Sequence, residues 1–213
     1  MTADGEEWSA DRERRPRGPY AKSAERRQQI IDKAIEIFAR DGVDAGSLRS
    51  VAAAIGVSHA ALRHYFPTRE ALLIAVYEAH EVRTDETIDA WLGEDDSPLP
   101  AMRASASRNR SVPGLVQLYA SLTAAAVQTG NPGTRAFIRE RFTSLRKQIA
   151  QRVERAQEHD HMIGDADPAE VASLIIAAAD GLQIQWLIDP DSVAVERGLA
   201  LLERLLESPP DRA

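Results

Sequence analysis

The chain has 213 residues, 44% hydrophobic and only 5% aromatic, enough apolar matter for a packed core and a balance that favours helices over sheets. It contains no cysteine, which excludes a disulfide framework and thiolate metal sites. The net charge is −7, unevenly spread: Asp11 to Pro67 holds 11 Lys/Arg against 7 Asp/Glu, while Thr68 onward holds 15 against 23. A basic head on an acidic body is the asymmetry expected when only one end meets phosphate.

Residues 1–20 are polar, and Pro16, Gly18 and Pro19 read as helix breakers, so an irregular basic arm is expected there. Acids and arginines mix at this end with no apolar segment, unlike a secretory signal. Ile30, Ala34, Ile37 and Phe38 recur at helical spacing and predict a helix from about Ala24 to Arg40, ended by Asp41-Gly42. Ser47 is an N-cap for a short helix, Leu48–Ile55, which Gly56 stops. Ser58 caps a third helix, His59–Phe66, closed by Pro67, and Thr68 caps a long one through Leu72, Leu73, Val76 and Tyr77. After an acidic, proline-bearing break at Gly93–Pro100, helices are expected near Ala101–Arg110, Val112–Gln128, Gly133–Glu158, Pro168–Ile188 and Ser192–Glu207. No segment alternates with period two, so the predicted fold class is all-α with about nine helices. The organisation expected is an arm at 1–20, a helix-turn-helix head at 21–67 and a helical effector-binding and dimerisation domain at 68–213.

Ala52, Gly56 and Leu62 carry the sharpest signal. A small residue lets two helices cross closely, glycine permits the turn, and leucine anchors the second helix. On that second helix Leu62 and Phe66 share the inner face, while His59 and Arg63 share an outer one with Ala60 beside them at the N-terminal end. Such a face suits the DNA major groove, and Arg49 and His64 are expected on the same surface. The run VAAAIGVSHAALRHYFPTREALL resembles the DNA-binding signature of the tetracycline-repressor (TetR) family, over roughly Ser23 to Tyr77. The resemblance implies a three-helix head on a helical body that dimerises and binds a small molecule, and a regulator released from DNA by its ligand. It also implies phosphate contacts at Ser47, Ser58, Tyr65 and Arg69. The two serines are N-caps under any function, and Tyr65 has the alternative of packing on the first helix. Arg63 stands where many members carry tyrosine, which marks it as a base reader.

In the body, Pro168–Ile188 is apolar almost all round and must be covered on several sides. The longest apolar stretch, Val171–Ala179, is interrupted by Asp180 and is too short to span a bilayer, so a cytoplasmic protein without a membrane partner is expected. The last helix carries Val195, Leu199, Leu202 and Leu206 at helical spacing; with Leu174 and Leu182 they form the predicted interface of a homodimer. Asp180 is the odd residue of this apolar helix, read either as a polar anchor for a ligand or as a partner for an arginine within the chain or across the dimer. Gln117, Tyr119, Thr123, Gln128, Gln183 and Trp186 are the other candidates for lining a ligand cavity. Partners expected are double-stranded DNA with a near-palindromic operator and a small-molecule effector; neither a cofactor nor a metal is expected. An enzyme is the first rival, but no nucleophile elbow, phosphate loop or two-His-plus-carboxylate spacing is present. Glu158-His159-Asp160-His161 reads as a solvated helix end rather than a metal site. A helical protein-interaction module is the second rival, and an activator the alternative to a repressor.

Overall fold

The computed structural model of the chain describes residues 19–42, 48–89, 97–128 and 130–207. Among them the regular structure is nine helices: α1 (Pro19–Asp41), α2 (Leu48–Ile55), α3 (His59–Tyr65), α4 (Arg69–Asp89), α5 (Leu99–Arg110), α6 (Pro113–Val127), α7 (Pro132–Glu158), α8 (Pro168–Ile188) and α9 (Val195–Leu206). The extended pairing among these residues is one isolated bridge, Met162 with Glu207. The all-α class is therefore as the sequence predicts.

Where helix limits differ from expectation, proline is the usual reason. α1 begins at Pro19, inside the segment read as an irregular arm; α5 begins at Leu99 with Pro100 in its first turn; α7 begins at Pro132. Proline lacks only an N–H that the first turn leaves unbonded, and its φ is already helical, so these residues open helices rather than break them. α9 starts late, at Val195, because Asp189 turns the chain first: its Oδ1 accepts from the Ser192 N–H at 3.3 Å and its carbonyl from the Val193 N–H at 3.3 Å. The rest of the arm, Ser47 and most of the acidic break lie outside the described residues.

Head and body share one hydrophobic core. Ile30 and Phe38 of α1, Val51 of α2, Leu62 of α3 and Leu72 of α4 belong to the same buried cluster as Leu115, Leu118 and Leu122 of α6 and Ile138 of α7. The α1–α6 contact is backbone-close: a Cβ on Gly114 would stand 1.7 Å from the Phe38 carbonyl oxygen. A second cluster joins α7 to α8 through Ile149, Val153, Val171 and Ile175, and a third seats Val195 and Leu199 of α9 on Ala106 and Ala179.

This packing corrects two expectations. The stripe Val195, Leu199, Leu202 and Leu206 faces inward: Val195, Leu199 and Leu206 are buried in the chain's own core and Leu202 is half-buried. Leu182 packs toward α9, where a Cβ on Gly198 would meet its Cδ1 at 2.7 Å. The best apolar stripe of a short amphipathic helix goes to the core it must close. The outward apolar residues are Leu174, Ile184 and Ile188 on α8 and Leu201 and Leu205 on α9. The second correction concerns length: α8 has 21 residues and is long and apolar enough, by length and composition, to cross a membrane. The core accounts for part of this composition, since Val171, Ala172, Ile175, Ile176 and Ala179 are buried there, while Asp180 and Gln183 line a cavity.

Candidate functional site

Gly56, at φ +76°, ends α2. Its N–H donates to the Ala53 carbonyl at 3.1 Å and the Val57 N–H to the Ala52 carbonyl at 2.9 Å, a Schellman closure whose left-handed residue favours glycine. Ser58 starts α3 by accepting from the Ala61 N–H at 3.1 Å, and Thr68 starts α4 by accepting from the Ala71 N–H at 3.1 Å. Leu62 and Phe66 bury the inner face of α3, and the Arg27 guanidinium sits 5.0 Å over the Phe66 ring. Ala60, Arg63 and His64 are exposed on the outer face, with His59 half-buried beside them and Arg49 exposed on α2. No carboxylate lies on α3. Tyr65 is half-buried, packed on the head core and edge-on to His64 with ring centroids 5.1 Å apart; Arg69 is half-buried in the first turn of α4. A short helix with a small, basic, carboxylate-free outer face fits the width of a major groove.

The second candidate region is a cavity of about 780 Å³ walled by α4, α5, α6, α7 and α8. Tyr77 of α4 and Tyr119 of α6 stack inside it, with centroids 5.3 Å apart and planes inclined by 22°. Phe137 of α7 meets Tyr77 edge-on at 6.2 Å. The Arg141 guanidinium lies 5.0 Å from the centroids of both tyrosines and pairs with Glu81. Tyr77 donates its hydroxyl to Glu81 at 3.0 Å, and Tyr119 donates to Asp180 Oδ2 at 3.1 Å. Asn109 of α5 donates to Gln183 Oε1 at 2.7 Å on the same wall. One polar network thus ties α4, α6, α7 and α8 across this cavity.

Two family descriptions match the chain. "Bacterial regulatory proteins, tetR family" covers residues 30–76, and "BetI-type transcriptional repressor, C-terminal" covers residues 101–209. The chain belongs to the TetR family. It is similar to the HTH-type transcriptional regulator BetI of Rhizobium meliloti, with 26% identity over 84% of this chain and 86% of that protein. It is also similar to the regulator PksA of Bacillus subtilis, with 25% identity over 86% and 89%. Among solved structures, a transcriptional regulator from Saccharomonospora viridis crystallised with choline shares the fold at TM-score 0.69 and 19% identity, covering 85% of this chain and 95% of its own. A SmeT–triclosan complex shares it at TM-score 0.66 and 18% identity, covering 86% and 92%. This TetR-family chain is a DNA-binding transcriptional regulator.

Of the residues predicted to line a ligand site, the TetR-type body brings Tyr119, Asp180 and Gln183 together in the cavity. Four others sit elsewhere. Gln117 reaches the end of α1, where its Oε1 lies 2.5 Å from a Cβ position on Gly42. Thr123 turns its hydroxyl back to the Tyr119 carbonyl at 3.0 Å. Gln128 is exposed at the C-cap of α6, and Trp186 packs on the α5–α9 cluster. Sequence reading missed Arg141, Glu81 and Tyr77. The i, i+4 pair Tyr77–Glu81 is visible in the sequence, but nothing local marks Arg141 among the many charges of α7. His159 and His161 end α7 in a left-handed closure at Asp160, φ +57°, and among the described residues no cluster of three or more ligating groups is found.

Burial sets the charge states of the network. It pushes the Tyr119 hydroxyl up to about 12, helped by the nearby Asp180, and raises Tyr77 well above its usual value. Burial would lower the Arg141 pKa, but Tyr77, Glu81 and Tyr119 outweigh it and the guanidinium stays charged. Burial raises Asp180 above the ordinary carboxylate value of 3.8, only partly offset by the Tyr119 hydrogen bond and Arg141. A carboxyl whose folded pKa is raised opposes folding once ionised, so it destabilises at neutral pH and ceases to as pH falls toward 3.8. Asp180→Asn, which removes the ionisable group, is therefore expected to raise Tm at pH 7. The gain should vanish near pH 4, and a lower Tm for the variant at pH 7 would show the ionised carboxylate to be net stabilising.

Proposed function

We propose that the chain is a repressor that works as a homodimer in the cytoplasm, holds a near-palindromic operator and releases it when a small molecule fills the α4–α8 cavity. Arg63 and His59 reach base edges with Ala60 close to the groove floor, while Ser58, Tyr65, Arg69 and, from the sequence, Ser47 hold phosphates; Arg49 and His64 add charge beside them. One such head reads too few bases for specificity, so two-fold pairing is needed. The outward apolar residues Leu174, Ile184, Ile188, Leu201 and Leu205 supply a surface for a second copy.

The observation that carries ligand control is the position of Tyr77. It belongs to the buried cluster that anchors Leu62 and Phe66 of the recognition unit, and it also walls the cavity. A molecule that displaces Tyr77 therefore acts on α4 within the head's own core. Two of the similar folds hold small molecules, choline and triclosan, which supports the reading without fixing the ligand. The test is reciprocal titration on an operator selected from random DNA. An effector that weakens operator binding a hundredfold requires about 2.7 kcal/mol of coupling, and operator must then weaken effector binding by the same factor. A molecule seated in the cavity that binds equally with and without operator would refute ligand control.

A further inference from the structure

We propose that Arg141 is the chain's own occupant of a seat built for an organic cation, and that an effector carrying such a charge takes the seat by expelling the guanidinium. The inference rests on reading the α4–α8 cavity as the effector site. Two stacked tyrosine faces present themselves to the same guanidinium at 5.0 Å each, and a ring face attracts a cation whatever molecule carries it. Two carboxyl groups flank the spot: Glu81 pairs with Arg141, and Asp180 is reached through the Tyr119 hydroxyl. The hold on Arg141 is incomplete, because its Nε is buried and has no hydrogen-bond partner among the described residues. The adjoining cavity of about 780 Å³ gives the long side chain room to leave and a ligand room to enter.

Exchange has a mechanical consequence. Glu81 stands on α4 and Arg141 on α7, so their pair ties the helix that continues from the DNA-reading unit to the body. A ligand cation supplies the charge that Glu81 faces but is not attached to α7, and α4 is released. A neutral molecule cannot replace the charge, and an anion would meet Glu81 and Asp180. The opposing arrangement is a fixed arginine that anchors a ligand anion, and it makes predictions of the opposite sign.

The experiment is calorimetric titration of the full chain, without DNA, using benzyltrimethylammonium, its uncharged isostere neopentylbenzene and 3-phenylpropanoate. The wild type should prefer the cation. Arg141→Met should tighten the cation about tenfold, since the resident competitor is gone, and leave the uncharged isostere nearly unchanged. Weaker cation binding by the variant, equal tightening of both probes, preference for the carboxylate, or no binding of the cation would overturn the proposal. Should the methionine variant not fold, arginine side-chain NMR of the wild type decides the matter. The Arg141 δ-proton signals, shielded by two rings, should move toward free-arginine positions as cation saturates, and signals that stay in place would overturn the exchange. Failure of the effector reading looks different: a cation that binds with these preferences yet leaves operator affinity unchanged.

Discussion

Leu201→Glu combined with Leu205→Glu is expected to give a folded monomer that has lost specific DNA binding. Both side chains are outward, 50% and 67% exposed in the single chain, so charge there costs the fold little. In a two-fold assembly the same carboxylates would be desolvated against apolar helix faces without partners, at a cost of several kcal/mol. Leu174, Ile184 and Ile188 add outward apolar residues on α8, the helix that α9 packs against. Sedimentation should report a monomer with unchanged helicity, and affinity for a selected palindrome should fall by about a thousandfold or more, to the nonspecific level. Leu199→Glu is the contrasting substitution. Leu199 is 0% exposed, so this carboxylate enters the chain's own core and should unfold the body. A double variant that remains a dimer would place the interface elsewhere.

That contrast marks where sequence reading is strong and where it runs out. Helix-turn-helix signals are local: a cap at Ser58, glycine at a left-handed closure, and Leu62 and Phe66 four residues apart each have a physical cause within a few residues. The limits of α2 and α8 follow from the same kind of signal. Periodicity also identified α9, but it could not say which of two apolar stripes faces the core; the tidier one, Val195 to Leu206, does so, and Leu201 and Leu205 are left outside. The cavity network is less legible still. Tyr119, Asp180 and Gln183 stood out as polar residues on apolar helices, whereas Arg141 is one of several arginines on a highly charged helix. Its position between two tyrosine rings is created by the packing of α4, α6 and α7, and no spacing along one helix encodes it.

Among the described glycines, Gly114 is the one at which an added methyl is expected to have the largest effect. α6 and α7 both open with Pro-Gly, so Gly114 and Gly133 occupy the same helical position, the second residue of the first turn. Around Gly133 an added Cβ meets nothing within 4 Å, and the methyl should only reduce the freedom of the unfolded chain, stabilising by about 0.5–1 kcal/mol. At Gly114 the same methyl would stand 1.7 Å from the Phe38 carbonyl oxygen and 2.8 Å from its carbon. Those atoms are backbone at the end of α1, so no rotamer change relieves the overlap and the two helices must part. Parting them opens the cluster that Phe38 shares with Leu115 and Leu118, which is the core joining head to body. Overpacking of this kind costs about 1–3 kcal/mol, so Tm should fall by roughly 3–10 °C while Gly133→Ala raises it slightly. Operator affinity should fall further than stability alone explains, because α1 carries the base of the recognition unit and, in the proposed dimer, this contact would set the separation of the two heads. Melting curves and DNA titrations of the matched pair check both claims. If Gly114→Ala melts and binds as Gly133→Ala does, α6 is not pressed on α1 in the working protein, and the route from cavity to DNA runs through α4 alone.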